Sequence, residues 1–157
     1  QGNDNPEECF ESNVASVQKF LEKSKKFHFK KIILFSSVVV YKEKVRGLLN
    51  EDDEIEPYSN IYGFSKYSLE NLARYYSEKV MLPITIFRLS NAYGPYSDLG
   101  SPLLIPNLFG DLLRKGVADV WNTKPVRDWI YSGDVAEAVF RELEIEGGGL
   151  FNLATGK

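Results

Sequence analysis

Cysteine, histidine and methionine occur once each in the 157 residues. Cys9 alone can close no internal disulfide and can build no cysteine-based zinc cluster, a usage that suits a reducing, cytoplasmic compartment. His28 alone, with no Gly-x-Ser-x-Gly anywhere, leaves a Ser-His hydrolase without its parts. No apolar run approaches the roughly 20 residues that a membrane-spanning helix needs. The longest, IILFSSVVVY, is broken by Ser36 and Ser37. No cationic-then-apolar leader is visible, so no secretory signal is expected. A net charge of -3 gives no general attraction to phosphate backbones. Neither nucleic acid nor membrane is therefore expected as a partner. The 12 glycines contain neither Gly-x-Gly-x-x-Gly nor Gly-x-x-Gly-x-x-Gly. Since the chain starts at Gln1 and its one methionine is Met81, it is expected to be a processed product or a piece of something longer.

What is present reads as one ordinary domain, 43% hydrophobic and 26% charged, with enough chain to bury a core. From Asn5-Pro6, a cap and first position, Phe10, Val14, Val17, Phe20 and Leu21 form a helical stripe that ends in lysines. IILF and, beyond Pro83, ITIFRL have the length and composition of buried parallel strands. Between them lie a polar loop from about Lys42 to Ser59 and a helix that ends near Val80. Asn91-Ala92-Tyr93-Gly94-Pro95 then leads into a loop and a helix over roughly Pro102 to Lys115. VADVW and RDWIY read as short strands around the turn NTKP; a helix from about Gly133 to Leu143 and the strand LFNLA finish the chain. Strand and helix alternate, which predicts an α/β fold with a parallel sheet.

Tyr-x-x-x-Lys occurs twice, as Tyr62 with Lys66 and as Tyr75 with Lys79. On a helix each pair shares one face, so an ammonium can sit beside a phenol and acidify it. Spacing alone does not choose between them; position does. Ser37 lies where the first strand opens into a loop, and ligands of open α/β sheets bind at the carboxyl ends of strands. Tyr62 starts the following helix, whereas Tyr75 and Lys79 lie at its far end, so only the first pair can meet Ser37.

Ser37, Tyr62-x-x-x-Lys66 and the strings SSVVVYKE, PYSNIYGFSK, RLSNAYGPY, VRDWIY, DVAEAV and FNLATG resemble the extended short-chain dehydrogenase/reductases, specifically the nucleotide-sugar epimerase/dehydratase family. The likeness runs from about Asn5 to Gly156 in the family's order. It implies NAD as cofactor and a nucleotide-diphosphate sugar as substrate. Tyr62 would take the proton of a sugar hydroxyl, Ser37 would orient that hydroxyl, and Lys66 would supply charge and hold the nicotinamide ribose. Leu89 would line the cofactor; Asn91, Leu103, Leu104, Trp121 and Arg127 would line the substrate. An arginine suits a diphosphate because its planar fork bonds two oxygens. NTKP departs from the family's glycine-containing turn. Family members that dehydrate or decarboxylate usually carry Asp or Glu just after the Ser/Thr; Val38 and Val39 stand there and cannot move protons. That favours a C4 epimerase working through a transient 4-keto sugar, with a nucleotide-sugar reductase or dehydratase as the alternative.

The same resemblance implies a partial Rossmann-like sheet over residues 1-96, a small α/β substrate-binding subregion over 97-132, and a return to the sheet over 133-157. Gln1 enters the family pattern after its fourth strand, so the glycine-rich cofactor turn falls outside this chain, which is expected to be inactive alone. A reading from another class is a non-catalytic dimerisation or binding module. Apolar stripes at Val14, Val17 and Leu21 and at Leu69, Leu72 and Tyr76 permit the helices near 6-25 and 61-80 to pair in a homodimer. KSKKFHFKK reads as a solvated helix end, since lysines suit a helix C-terminus. EDDEIE lacks calcium-loop spacing, Ser16-x-x-Lys19 lacks companion motifs, and GLFNLATGK is no phosphate loop; no metal site is expected.

Overall fold

A computed structural model describes residues 5–43, 47–120 and 122–157. Its centre is a three-stranded parallel sheet in the order β1 (Ile32–Ser37), β2 (Ile84–Leu89), β5 (Gly149–Leu153). The register sets Ile32 against Ile84 and Ser37 against Leu89, so β1 and β2 end together. One face of this sheet carries Ile32, Ile84 and Ile86, packed with Leu21, Ala73, Tyr76 and Leu82 in a single apolar cluster. The opposite face carries an in-register aromatic row, Phe35, Phe87 and Phe151, with ring centroids 6.2 and 6.4 Å apart.

The first helical segment is stapled at its start as its residues dictate. Asn5 accepts a hydrogen bond from the Glu8 N–H at 3.2 Å, Pro6 occupies the first turn, and Glu7 and Glu8 meet the positive end of the dipole. It is not one continuous α-helix: α1 (Pro6–Phe10) and α2 (Ser16–Ser24) are joined by a π-helical turn, Glu11–Ala15. α3 spans Ile61–Val80 and is capped by Asn60, whose side chain accepts from the Gly63 N–H at 2.8 Å. It ends on Met81 in the left-handed region at φ 62°, a conformation more usual for glycine, with Pro83 preventing continuation.

Two further α-helices follow, α4 (Leu104–Lys115) and α5 (Ser132–Glu142). α4 stops at Gly116, φ 71°. The expected strand VADVW does not form: Val117 to Val120 lie outside any strand, with Val117 and Val120 exposed, and Trp121 lies outside the described residues. RDWIY is strand only over β4 (Trp129–Tyr131). Its partner is β3 (Asn91–Tyr93), where the sequence predicts no strand; the two make a separate parallel pair. Asp128 explains the pairing. Its main-chain oxygen accepts from the Asn91 N–H, while its carboxylate takes bonds from Ser90 Oγ, Thr155 N and Oγ1, and Gly156 N. One carboxylate thus ties the end of β2 to the chain beyond β5.

Candidate active site

Ser37 is the last residue of β1 and caps the short 3₁₀ turn Val38–Val40, its Oγ accepting from the Val39 N–H at 3.3 Å. α3 starts close to that turn because Gly63 has no side chain: a Cβ there would stand 3.1 Å from the Pro57 carbonyl oxygen and 3.4 Å from that of Val39. The approach brings the Tyr62 phenol within hydrogen-bonding influence of the Ser37 side chain. One turn on, Lys66 Nζ lies 5.7 Å from the Tyr62 ring centroid and donates to the Phe35 carbonyl oxygen at 3.0 Å. Ser37, Tyr62 and Lys66 therefore meet at the carboxyl end of β1. Leu89, half-buried, is Ser37's register partner on β2. Tyr75 sits elsewhere, edge-on to Tyr76, whose hydroxyl donates to Glu22.

The electrostatic balance differs from the simple expectation that Lys66 acidifies the phenol. Burial raises the Tyr62 pKa above the ordinary tyrosine value, the nearby Ser37 hydroxyl pulls it back down, and negative charge on Cys9 pushes it up. Burial likewise lowers the pKa of Lys66, with Cys9 acting in the opposite direction. The ammonium is held on the Phe35 carbonyl, so its charge, undiminished, acts on the phenol from a distance, 5.7 Å from the ring centroid. Among the described residues only one of its three N–H donors has a partner.

Sequence reasoning did not find the floor of this site. Asn13, on the π-helical turn, donates to Ser65 Oγ at 3.0 Å, and Ser65 in turn donates to the Tyr62 carbonyl at 2.8 Å. Cys9 Sγ lies 3.6 Å from both Ser65 Oγ and Asn13 Nδ2. A π-bulge frequently marks a functional segment, but it leaves no trace in a hydrophobic periodicity. The remaining substrate candidates are dispersed. Asn91 opens β3 and spends one amide N–H on the Asp128 carbonyl at 3.0 Å. Leu103 and Leu104 are exposed at the start of α4, and Arg127 is exposed just before β4. Among the described residues no hydrogen bond or ion pair joins these to Ser37, Tyr62 or Lys66.

Comparison with known proteins fits this geometry. The model of the NAD dependent epimerase/dehydratase family matches residues 1–154. A putative UDP-glucose 4-epimerase of Methanocaldococcus jannaschii is 31% identical over 157 residues, covering 98% of this chain and 51% of that protein. A UDP-glucose 4-epimerase from Thermotoga maritima, solved with UDP-glucose, superposes with a TM-score of 0.90 at 28% identity, over 99% of this chain and 52% of the other. A dTDP-glucose 4,6-dehydratase from Streptomyces venezuelae, solved with NAD bound, gives 0.89 at 25% identity, over 99% and 48%. The chain thus spans about half the length of the relatives it matches. With its fold, its motif order and its match over nearly every residue, the chain belongs to the NAD dependent epimerase/dehydratase family.

Proposed function

We propose that the protein carrying this chain is an NAD-dependent epimerase of a nucleotide-diphosphate sugar, acting at C4 through a transient 4-keto sugar. The observation that supports it is the meeting of Ser37, Tyr62 and Lys66 at the carboxyl end of β1. Epimerases and dehydratases both stand among the relatives, so the choice between them rests on Val38 and Val39, which offer no acid or base beside Ser37. Residues 97-132 are taken as the substrate-binding subregion, with Asn91, Leu103, Leu104, Trp121 and Arg127 as the groups that grip the nucleotide sugar.

NAD, when bound, supplies the acceptor and later the donor of a hydride. The two remaining N–H donors of Lys66 fit its nicotinamide ribose, and Leu89 would line the cofactor. Tyr62 holds and moves the proton at its phenolic oxygen; Ser37 Oγ orients the reacting hydroxyl toward it. A group that must give up its proton near neutral pH begins here from a pKa above the ordinary one, so Lys66 has work to do that burial opposes. Removing the phenol should lower kcat by about 10²–10⁴-fold, the usual contribution of a positioned acid-base group.

The test uses the full-length protein with a panel of UDP- and dTDP-hexoses, following the C4 epimer directly. Tyr62→Phe should abolish turnover to within that range, and Tyr75→Phe should leave it near that of the parent. Equal effects of the two changes contradict the assignment of Tyr62. Release of a 4-keto-6-deoxy sugar by the parent protein instead overturns the epimerase reading in favour of a dehydratase.

A further inference from the structure

The stretch between α2 and β1 does more than end a helix. The Phe27 N–H bonds to the Ser24 carbonyl at 3.0 Å, turning the chain back on itself at the end of α2. That turn gathers three phenylalanines distant from the core: Phe20, Phe27 and Phe29 are 45%, 62% and 42% exposed. Phe29 lies 6.4 Å from Phe20 and 5.8 Å from Phe27, ring centroid to ring centroid. Along the same stretch of chain stand Lys19, Lys23, Lys25, Lys26 and Lys30, with Glu22 among them. Glu11 and Glu22 take up Lys19 and Lys25. Among the described residues the side chains of Lys23, Lys26 and Lys30 make no hydrogen bond or close ion pair, Lys26 acting on Glu22 only at a distance, although the chain as a whole is acidic.

Solvated lysines at a helix end need no phenylalanines, and an ordinary soluble surface scatters such rings singly. A tight aromatic knot with such cations along the same stretch of chain is the combination that an anionic lipid surface recognises. The rings enter the headgroup boundary while the ammonium groups meet the lipid charge. Nucleic acid fits less well, because the rings are tilted by 46° and 53° against each other and too close to admit a base between them. We propose that Phe20, Phe27 and Phe29, with Lys23, Lys26 and Lys30, form a surface that docks reversibly on an anionic membrane. No helix among the described residues is long and apolar enough to cross a membrane, so the contact is superficial.

Vesicle flotation of the 157-residue chain tests this, with phosphatidylcholine alone and with phosphatidylcholine mixed with phosphatidylserine. Binding is expected only with phosphatidylserine and should weaken with added salt. Lys23→Gln/Lys26→Gln/Lys30→Gln should lower partitioning on the order of a hundredfold, roughly fivefold for each lysine. Phe27→Ser/Phe29→Ser should lower it roughly tenfold or more. These side chains are exposed, and far-UV circular dichroism checks that both variants remain folded. Phe27→Trp adds a gain of signal: its emission should shift to the blue on phosphatidylserine vesicles. Failure to bind, binding that the serine variant retains in full, or no shift from the tryptophan each overturns the proposal. Capture of a single-stranded RNA oligonucleotide in place of vesicles, lost in the serine variant, would reassign the surface to nucleic acid.

Discussion

Beneath Ser37 lies a buried ion pair whose removal should cost more than any single surface change. Arg88 Nη2 and Nε donate to the two Glu70 carboxylate oxygens at 2.7 and 2.9 Å, with side chains 4% and 1% exposed. Ser36 Oγ donates to the same carboxylate at 2.5 Å, and Arg88 Nη1 reaches the Tyr41 hydroxyl at 2.8 Å and the Glu51 carbonyl at 3.0 Å. Glu70→Ala strands a guanidinium and a serine hydroxyl out of reach of water. Breaking such a pair from one side costs about 3–5 kcal/mol, a large fraction of a typical domain's stability. At this chain length that lowers Tm by roughly 6–20 °C. Glu70→Leu/Arg88→Met removes both charges and should recover part of the loss, but not all, because Tyr41 and Glu51 lose their donor. Urea unfolding followed by circular dichroism measures both variants. A cost for Glu70→Ala below about 1 kcal/mol would refute the reasoning, since it would mean that water enters to replace the carboxylate.

Three other outcomes are expected. The 157 residues alone should show no NAD binding by calorimetry, for lack of a glycine-rich turn; micromolar affinity would contradict this. Asn13→Ala in the full-length protein should lower kcat more than it lowers stability, because it loosens Ser65 beneath Tyr62; an unchanged kcat would make Asn13 purely architectural. At Asp128, burial works to raise the pKa, but the Thr155, Gly156 and Ser90 hydrogen bonds outweigh it and hold the group below the usual carboxylate range. Its stabilisation is complete above the unfolded value of about 3.9 and is lost as pH falls through the lower folded value. Asp128→Asn should therefore unfold more easily than the parent near neutral pH, with the gap closing below roughly pH 4; a gap independent of pH would rule out the charge as its source.

Much of this architecture was legible because it is local. IILF and ITIFRL are short apolar runs bounded by a loop and a proline, and both are strands. α3 and α4 follow the apolar spacing of their residues, α4 beginning two residues later than expected because Leu103 stays extended. What failed depends on partners distant in sequence. Asn91–Tyr93 becomes a strand only because Asp128 places Trp129–Tyr131 beside it, and Val117 to Val120, strand-like in composition, find no strand partner among the described residues. At the site, topology alone could set Ser37 near Tyr62 and away from Tyr75. The commitment of Lys66 to the Phe35 carbonyl could not be foreseen, since side-chain spacing says nothing of which backbone groups lie bare.

β1 is one edge of the described sheet, with no strand on its far side among the described residues, and the aromatic row across the sheet leaves Phe35 and Phe151 more than a third exposed. A bare strand flank next to an oily plane is a template on which further strands can zip. Concentrated solutions of this polypeptide should accordingly thicken into β-rich assemblies. A charged gatekeeper at Phe35, away from the apolar cluster under the helices, should keep them clear.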